Sequence, residues 1–108
     1  MSEFTDYLQE VFSCLGTVRV RRMFGGHGLF LDELMFGLVV DEVLYLKADE
    51  QTRDLFTAEG LTPFVYYKQG KPVSLSYYTA PESLFEDPDE ALLWGRRSFS
   101  AALRNKRH

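Results

Sequence analysis

The chain has 108 residues, enough for one domain over residues 1–108 with one core. Its 45% hydrophobic, 15% aromatic and 26% charged residues are the balance of a globular chain and exclude wholesale disorder. A net charge of −4 exerts no overall pull on nucleic acid, one cysteine excludes an internal disulfide, and two histidines leave too few ligands for an ordinary structural zinc site.

Ser2 is a candidate cap for a first helix, in which Phe4, Leu8, Val11, Phe12 and Leu15 recur at helical spacing. Gly16 is a natural stop. Val18 to Phe24 then alternates apolar with basic residues, as a half-buried strand does. Arg21-Arg22 breaks that alternation and predicts a bulge or the strand's end. Gly25-Gly26-His27-Gly28 reads as a turn, after which Leu29-Phe30-Leu31 resumes the sheet. Asp32-Glu33 turns the chain again. Leu34 to Val40 is nearly continuous apolar, the pattern of a central strand covered on both faces. Asp41-Glu42 makes the next turn, and Val43 to Lys47 follows. Turns this close together permit only antiparallel neighbours.

Asp49 is a good N-cap for a second helix, whose apolar face is Leu55 and Phe56 and whose end is Gly60. Two further strands, Phe64 to Lys68 and Val73 to Tyr78, are joined through Gln69-Gly70-Lys71. The last helix has Asp87 as cap, Pro88 at its first position and Glu90 placed to return the cap's hydrogen bond. Leu92, Leu93, Phe99, Ala102 and Leu103 form its expected apolar face, with Trp94 at the margin and an end near Asn105. The fold class is therefore α+β: an antiparallel sheet of about six strands with three helices, in the order α-β-β-β-β-α-β-β-α, the helices on one face.

No segment approaches the ~20 apolar residues that cross a bilayer. The N-terminus lacks the basic and apolar regions of a secretory signal, so no membrane association and a cytoplasmic location are expected.

The glycine run invites two readings. Gly25, Gly26, His27 and Gly28 could form a backbone nest for an anion or small ligand, or a turn that needs positive φ. It lacks the Gly-Lys-Ser/Thr of a phosphate loop and the following helix of a dinucleotide fingerprint, so the turn is the simpler reading. His27 has no nucleophile or orienting acid at a recognisable spacing, and Cys14 reads as a buried filler late in the first helix. The carboxylates sit at turns and caps. No catalytic residue, cofactor or metal ligand is therefore assigned.

Arg19 and Arg21 share a strand face, and with Arg22 they are the candidate partner-binding residues. Solvated arginines paired with nearby acids are the plainer account. The tyrosine pairs Tyr66-Tyr67 and Tyr77-Tyr78 each send one ring to either face of a strand. The acid-free tail Arg104-Asn-Lys-Arg-His108 complements the helix dipole and is the second candidate contact for a phosphate backbone.

Val20-Arg-Arg-Met-Phe-Gly-Gly-His-Gly-Leu-Phe-Leu-Asp32 resembles the signature of the TfoX (Sxy) N-terminal domain family. Met35-Phe36, Val43 to Lys47, Pro63-Phe64, Ser74 to Tyr78, Ala80-Pro-Glu82 and Trp94 to Arg97 extend the similarity along nearly the whole chain. The resemblance implies an α+β domain with an antiparallel sheet. It also implies a link to regulators of natural competence, transcriptional coactivators that act beside a DNA-bound activator, and it brings no catalytic residues. The longer regulators carry a second, C-terminal domain, so the expectation here is a stand-alone version. The expected function is a non-catalytic regulatory domain whose partner is another protein of the transcription machinery or an activator. The alternatives are direct nucleic-acid binding through the basic strand and tail, and small-ligand binding at Gly25 to Gly28. Either a monomer or a homodimer is compatible with six short strands in an open sheet.

Overall fold

Three tight hairpins organise the chain in the computed structural model, which describes residues 3–23 and 25–106. Asp32-Glu33, Asp41-Glu42 and Gln69-Gly70 all have positive φ at both positions. Paired left-handed residues match the right-handed twist of the flanking strands, so these are type I′ connections. They link β2 (Gly26–Leu31) to β3 (Leu34–Val40), β3 to β4 (Val43–Lys47), and β5 (Pro63–Lys68) to β6 (Lys71–Thr79). With β1 (Arg19–Met23) the strands form one antiparallel sheet in the order β1-β2-β3-β4-β6-β5. Its edges are β1 and β5.

The helices α1 (Glu3–Val11), α2 (Arg53–Thr57) and α3 (Pro88–Lys106) complete the α-β-β-β-β-α-β-β-α order read from the sequence. A 3-10 turn at Ser13–Leu15 prolongs α1 as far as Gly16, and another at Glu82–Phe85 precedes α3. The proposed Ser2 cap, Phe24 of the first strand run, and Arg107 and His108 of the basic tail lie outside the described residues.

Alternation along the strands assigns a face to every residue. Val18, Leu29, Leu31, Val39, Leu44 and Leu46 point to the helix side and form the core with Leu8, Phe12, Phe56 and Trp94. One irregularity sits in β3, not at Arg21-Arg22. Arg21 pairs with Gly28 and Arg22 with His27 without a shift, whereas Leu29 pairs with Gly37 and Phe30 with Met35. Phe36 is thus an extra residue, a bulge that turns it into the core, where its ring meets that of Phe12 edge-on at 5.4 Å. The double arginine breaks the polarity pattern without breaking the ladder, because an edge strand can present charge on both faces.

α3 rotates differently from the sequence reading. Its buried residues are Ala91, Trp94, Gly95, Ser98, Ala101 and Ala102, while Leu93 is exposed. Trp94 is at the centre: its ring lies 4.9 Å from that of Phe56, with Arg97 over it. Small residues let α3 approach the sheet closely, so the indole and not the leucines fills the space. The cap of α3 is also rearranged. Asp87 accepts from the Asp89 amide as expected, but Glu90 accepts from the Ser83 hydroxyl, and the Asp87 amide donates to the Ser83 carbonyl. The preceding 3-10 turn supplies the partner that the capping box would have used.

α2 is shorter than expected. Asp49 closes a turn, accepting from the amides of Gln51 and Thr52, and the helix begins only at Arg53. Phe56 is buried but Leu55 is 38% exposed, so the short helix buries a single large side chain. Cys14 is exposed on the 3-10 turn, not a buried filler: the tightening of the chain beyond Val11 turns it away from the core.

Candidate functional site

The glycine run is mostly strand. Gly25 alone has positive φ, at 76°, while Gly26, His27 and Gly28 belong to β2 and pair with Met23, Arg22 and Arg21. A nest needs successive amides converging in a turn, and here they lie along a ladder. Gly26 and Gly28 serve close packing instead. A Cβ on Gly26 would run into the Val39 carbonyl, and one on Gly28 would lie 2.8 Å from the sulfurs of Met23 and Met35.

The same register divides the three arginines. Arg19 and Arg21 stand on the sheet face away from the helices, opposite Phe30 and Gly28. Arg22 points to the helix side, in register with His27. The Arg21 guanidinium lies 5.0 Å from the Phe30 ring centroid. Such a contact holds the cation in place while leaving its edge free to hydrogen-bond.

Beyond these two arginines the outer face is aromatic and apolar with Lys47 among the rings. Tyr45 and Phe64 meet edge-on at 5.0 Å, and Phe64 continues to Tyr66. Tyr77 is only 7% exposed, and its hydroxyl donates to the Met35 carbonyl. Burial pushes its phenol up to about 12. The Lys47 ammonium sits 5.1 Å over the Tyr77 ring, where burial lowers its pKa against the opposing pull of Asp49. Leu38, in register with Gly28 and Tyr45, is buried here without a helix above it, covered by side chains of its neighbours. No helix among the described residues covers this face.

Among the described residues no strand contains Asp or Glu, yet strands hold Arg19, Arg21, Arg22, Lys47, Lys68 and Lys71, half of the 12 Lys and Arg residues. The chain's acids lie on helices, turns and links. A protein of net charge −4 therefore carries a positive, aromatic sheet face rimmed by the acidic turns Asp32-Glu33 and Asp41-Glu42. Sequence reasoning identified Arg19 and Arg21 and split the pair Tyr77-Tyr78 between the two faces, but missed Phe30, Tyr45, Lys47 and Phe64. Their signal was present as period-two alternation, but which phase faces the helices is decided by the register of each strand with its neighbours.

Arg96, Arg97 and Arg104 of α3 line one surface cleft, but two of the three are already engaged by neighbours. Arg97 lies 4.9 Å over Trp94, and Arg104 grips Asp49 through two nitrogens, Nε to Oδ2 and Nη2 to Oδ1 at 3.0 Å. The bond from Arg104 holds the Asp49 carboxyl below its ordinary value. A depressed carboxyl contributes stability above its unfolded pKa, and that contribution is lost as pH falls through the folded value. Asp49→Asn, which keeps the turn's acceptor oxygen, is accordingly expected to cost up to about 1 kcal/mol at neutral pH from the lost ion pair. Urea titrations should show the gap closing once the pH is well below about 4.

Polar clefts of 270 and 480 Å³ flank this ion pair, sharing Ala48, Asp49, Arg53 and Ser76. Among the described residues no three His, Cys, Asp or Glu side chains are grouped to hold a metal ion, and no helix is long and apolar enough to cross a membrane.

The chain matches the TfoX N-terminal domain family over residues 10–102. It is 35% identical over 98 residues to "Protein Sxy" of Escherichia coli (strain K12), covering 91% of this chain and 47% of that protein. It is likewise 35% identical over 93 residues to "DNA transformation protein TfoX1" of Aliivibrio fischeri (strain ATCC 700601 / ES114), covering 86% of this chain and 44% of that one. The chain thus spans a little under half the length of these curated relatives.

Proposed function

This chain belongs to the TfoX N-terminal domain family, and from that membership we propose that it is a non-catalytic regulatory domain acting on transcription by protein contact, through the outer face of its sheet. The observation that carries the reading is the separation of charge: a positive aromatic face, free of acids on all six strands, within an acidic chain. Complementary potentials steer partners and suppress wrong ones. The occupant that fits is an acidic surface with an apolar centre, on an activator or on the transcription machinery. Arg19 and Arg21 would meet its carboxylates, and Phe30, Tyr45 and Phe64 its apolar part. The name of the Aliivibrio fischeri relative places that protein in DNA transformation, and the proposed process for this chain is control of competence genes.

The test is complementation of a deletion strain, read as transcript abundance. Wild-type protein is expected to restore the transcripts that the deletion lowers. Arg19→Glu/Arg21→Glu, shown by circular dichroism to be folded, is expected to leave them low, since opposed like charges cost several kcal/mol, roughly a hundredfold or more in affinity. Arg96→Glu, on the far side of the molecule, serves as the control and should restore them. Unchanged transcripts on deletion, or full rescue by the double variant, would overturn the reading. Steeply salt-dependent binding of the wild type to DNA would replace protein contact with direct nucleic-acid recognition.

A further inference from the structure

The two edges of the sheet are guarded unequally. An edge strand presents unpaired amides and carbonyls to any passing strand, and proteins blunt this with charge, proline or bulges. β1 carries three arginines in five residues, Arg19, Arg21 and Arg22. β5 has Pro63 and an irregular register at one end and Lys68 at the other, but Phe64-Val65-Tyr66-Tyr67 between them is uncharged. Among the described residues, four of the eight exposed large hydrophobic residues lie on the same hairpin: Val65, Tyr66 and Tyr67 on β5 and Leu75 on β6, with Tyr67 73% exposed.

We propose that β5 pairs antiparallel with β5 of a second copy of this chain, about a twofold axis near Tyr66. The strand is self-complementary in that register. Tyr66 faces its own copy, Val65 faces Tyr67, and Phe64 faces Lys68, so aromatic and β-branched side chains meet across the join. The two lysines fall at opposite ends and never oppose each other. The same operation on β1 sets Arg21 against Arg21, and like charges directly opposite destabilise a pair. Charge thus selects β5 over β1, and self-complementarity selects a second copy over an unrelated strand. The two six-stranded sheets become one continuous sheet. A twofold axis between antiparallel strands is perpendicular to the sheet, so both outer faces lie on the same side of the dimer.

Sedimentation of the intact chain across a wide concentration range is the first measurement, and a reversible dimer is expected. Tyr66→Lys puts two ammonium groups on the axis and is expected to shift the equilibrium to monomer. The location is read independently by cross-linking. In a Cys14→Ser background, Tyr66→Cys is expected to give a covalent dimer with a thiol oxidant, and Arg21→Cys is not. A wild type that stays monomeric throughout, a Tyr66→Lys dimer as tight as wild type, or cross-linking at position 21 in place of 66 overturns the proposal. None of these readouts depends on transcript levels, so this inference and the regulatory reading fail separately.

Discussion

Trp94→Ala is expected to lower the unfolding free energy by about 3–5 kcal/mol, a large share of the roughly 5–15 kcal/mol available to a domain of ordinary stability. The indole is 1% exposed and joins two parts of the core. It lies 4.9 Å from Phe56, whose own ring stacks on Tyr78 at 5.4 Å, so one side chain ties α3 to α2 and through it to β6. Truncation removes the transfer energy of a large apolar group and leaves a cavity that the small residues Ala91, Ser98 and Ala101 cannot fill. Leu93→Ala, one position away but 41% exposed, is expected to cost less than about 1 kcal/mol. Equilibrium urea unfolding of both variants checks the order. Equal losses would mean that α3 packs with the leucine face inward, as its sequence alone suggests.

Gly26→Ala is expected to cost about 3 kcal/mol, and Gly25→Ala about 1 kcal/mol. The contrast separates two reasons for glycine in adjacent positions. At Gly25 the space around a new Cβ is open and the penalty is conformational, from a φ of 76°. Asparagine tolerates that region and should recover most of the loss. At Gly26 the backbone is extended strand and the penalty is steric, because the new methyl meets the Val39 carbonyl of the paired strand. No side chain relieves that contact, so Gly26→Asn should be at least as damaging as Gly26→Ala. Chemical denaturation of the four variants decides the matter. Rescue by asparagine at both positions would restore the four-residue turn as the right description of Gly25 to Gly28.

The outer sheet face and the unprotected edge stand in a definite relation. The face has cations held over rings, as with Arg21 on Phe30 and Lys47 on Tyr77, while the edge has uncharged side chains and a free ladder. The first suits a charged partner whose contacts are made by side chains. The second suits a strand whose contacts are made by backbone. Each surface thus has its own kind of occupant, and substitution at one should leave the other working.

Sequence alone determined what depends on local chemistry. The three helices, the six strands and their order followed from periodicity, from glycine at Gly16 and Gly60, and from Pro88 behind Asp87, because these signals act within a few residues of themselves. The antiparallel pairing followed from turns too short for any crossover. The membership of Arg19 and Arg21 in one face followed from the two-residue period of a strand. Tertiary structure decided what depends on partners distant in the chain. Whether Gly26 and Gly28 were turn or strand rested on Val39, Met23 and Met35 lying against them. Which side of α3 was buried rested on the space above Phe56, and Cys14 was exposed because the chain tightened after Val11. That the positive face is also the aromatic one depended on register, which sets Arg21, Gly28, Leu38 and Tyr45 side by side across four strands. Register is a property of two strands at once, and neither strand's sequence contains it.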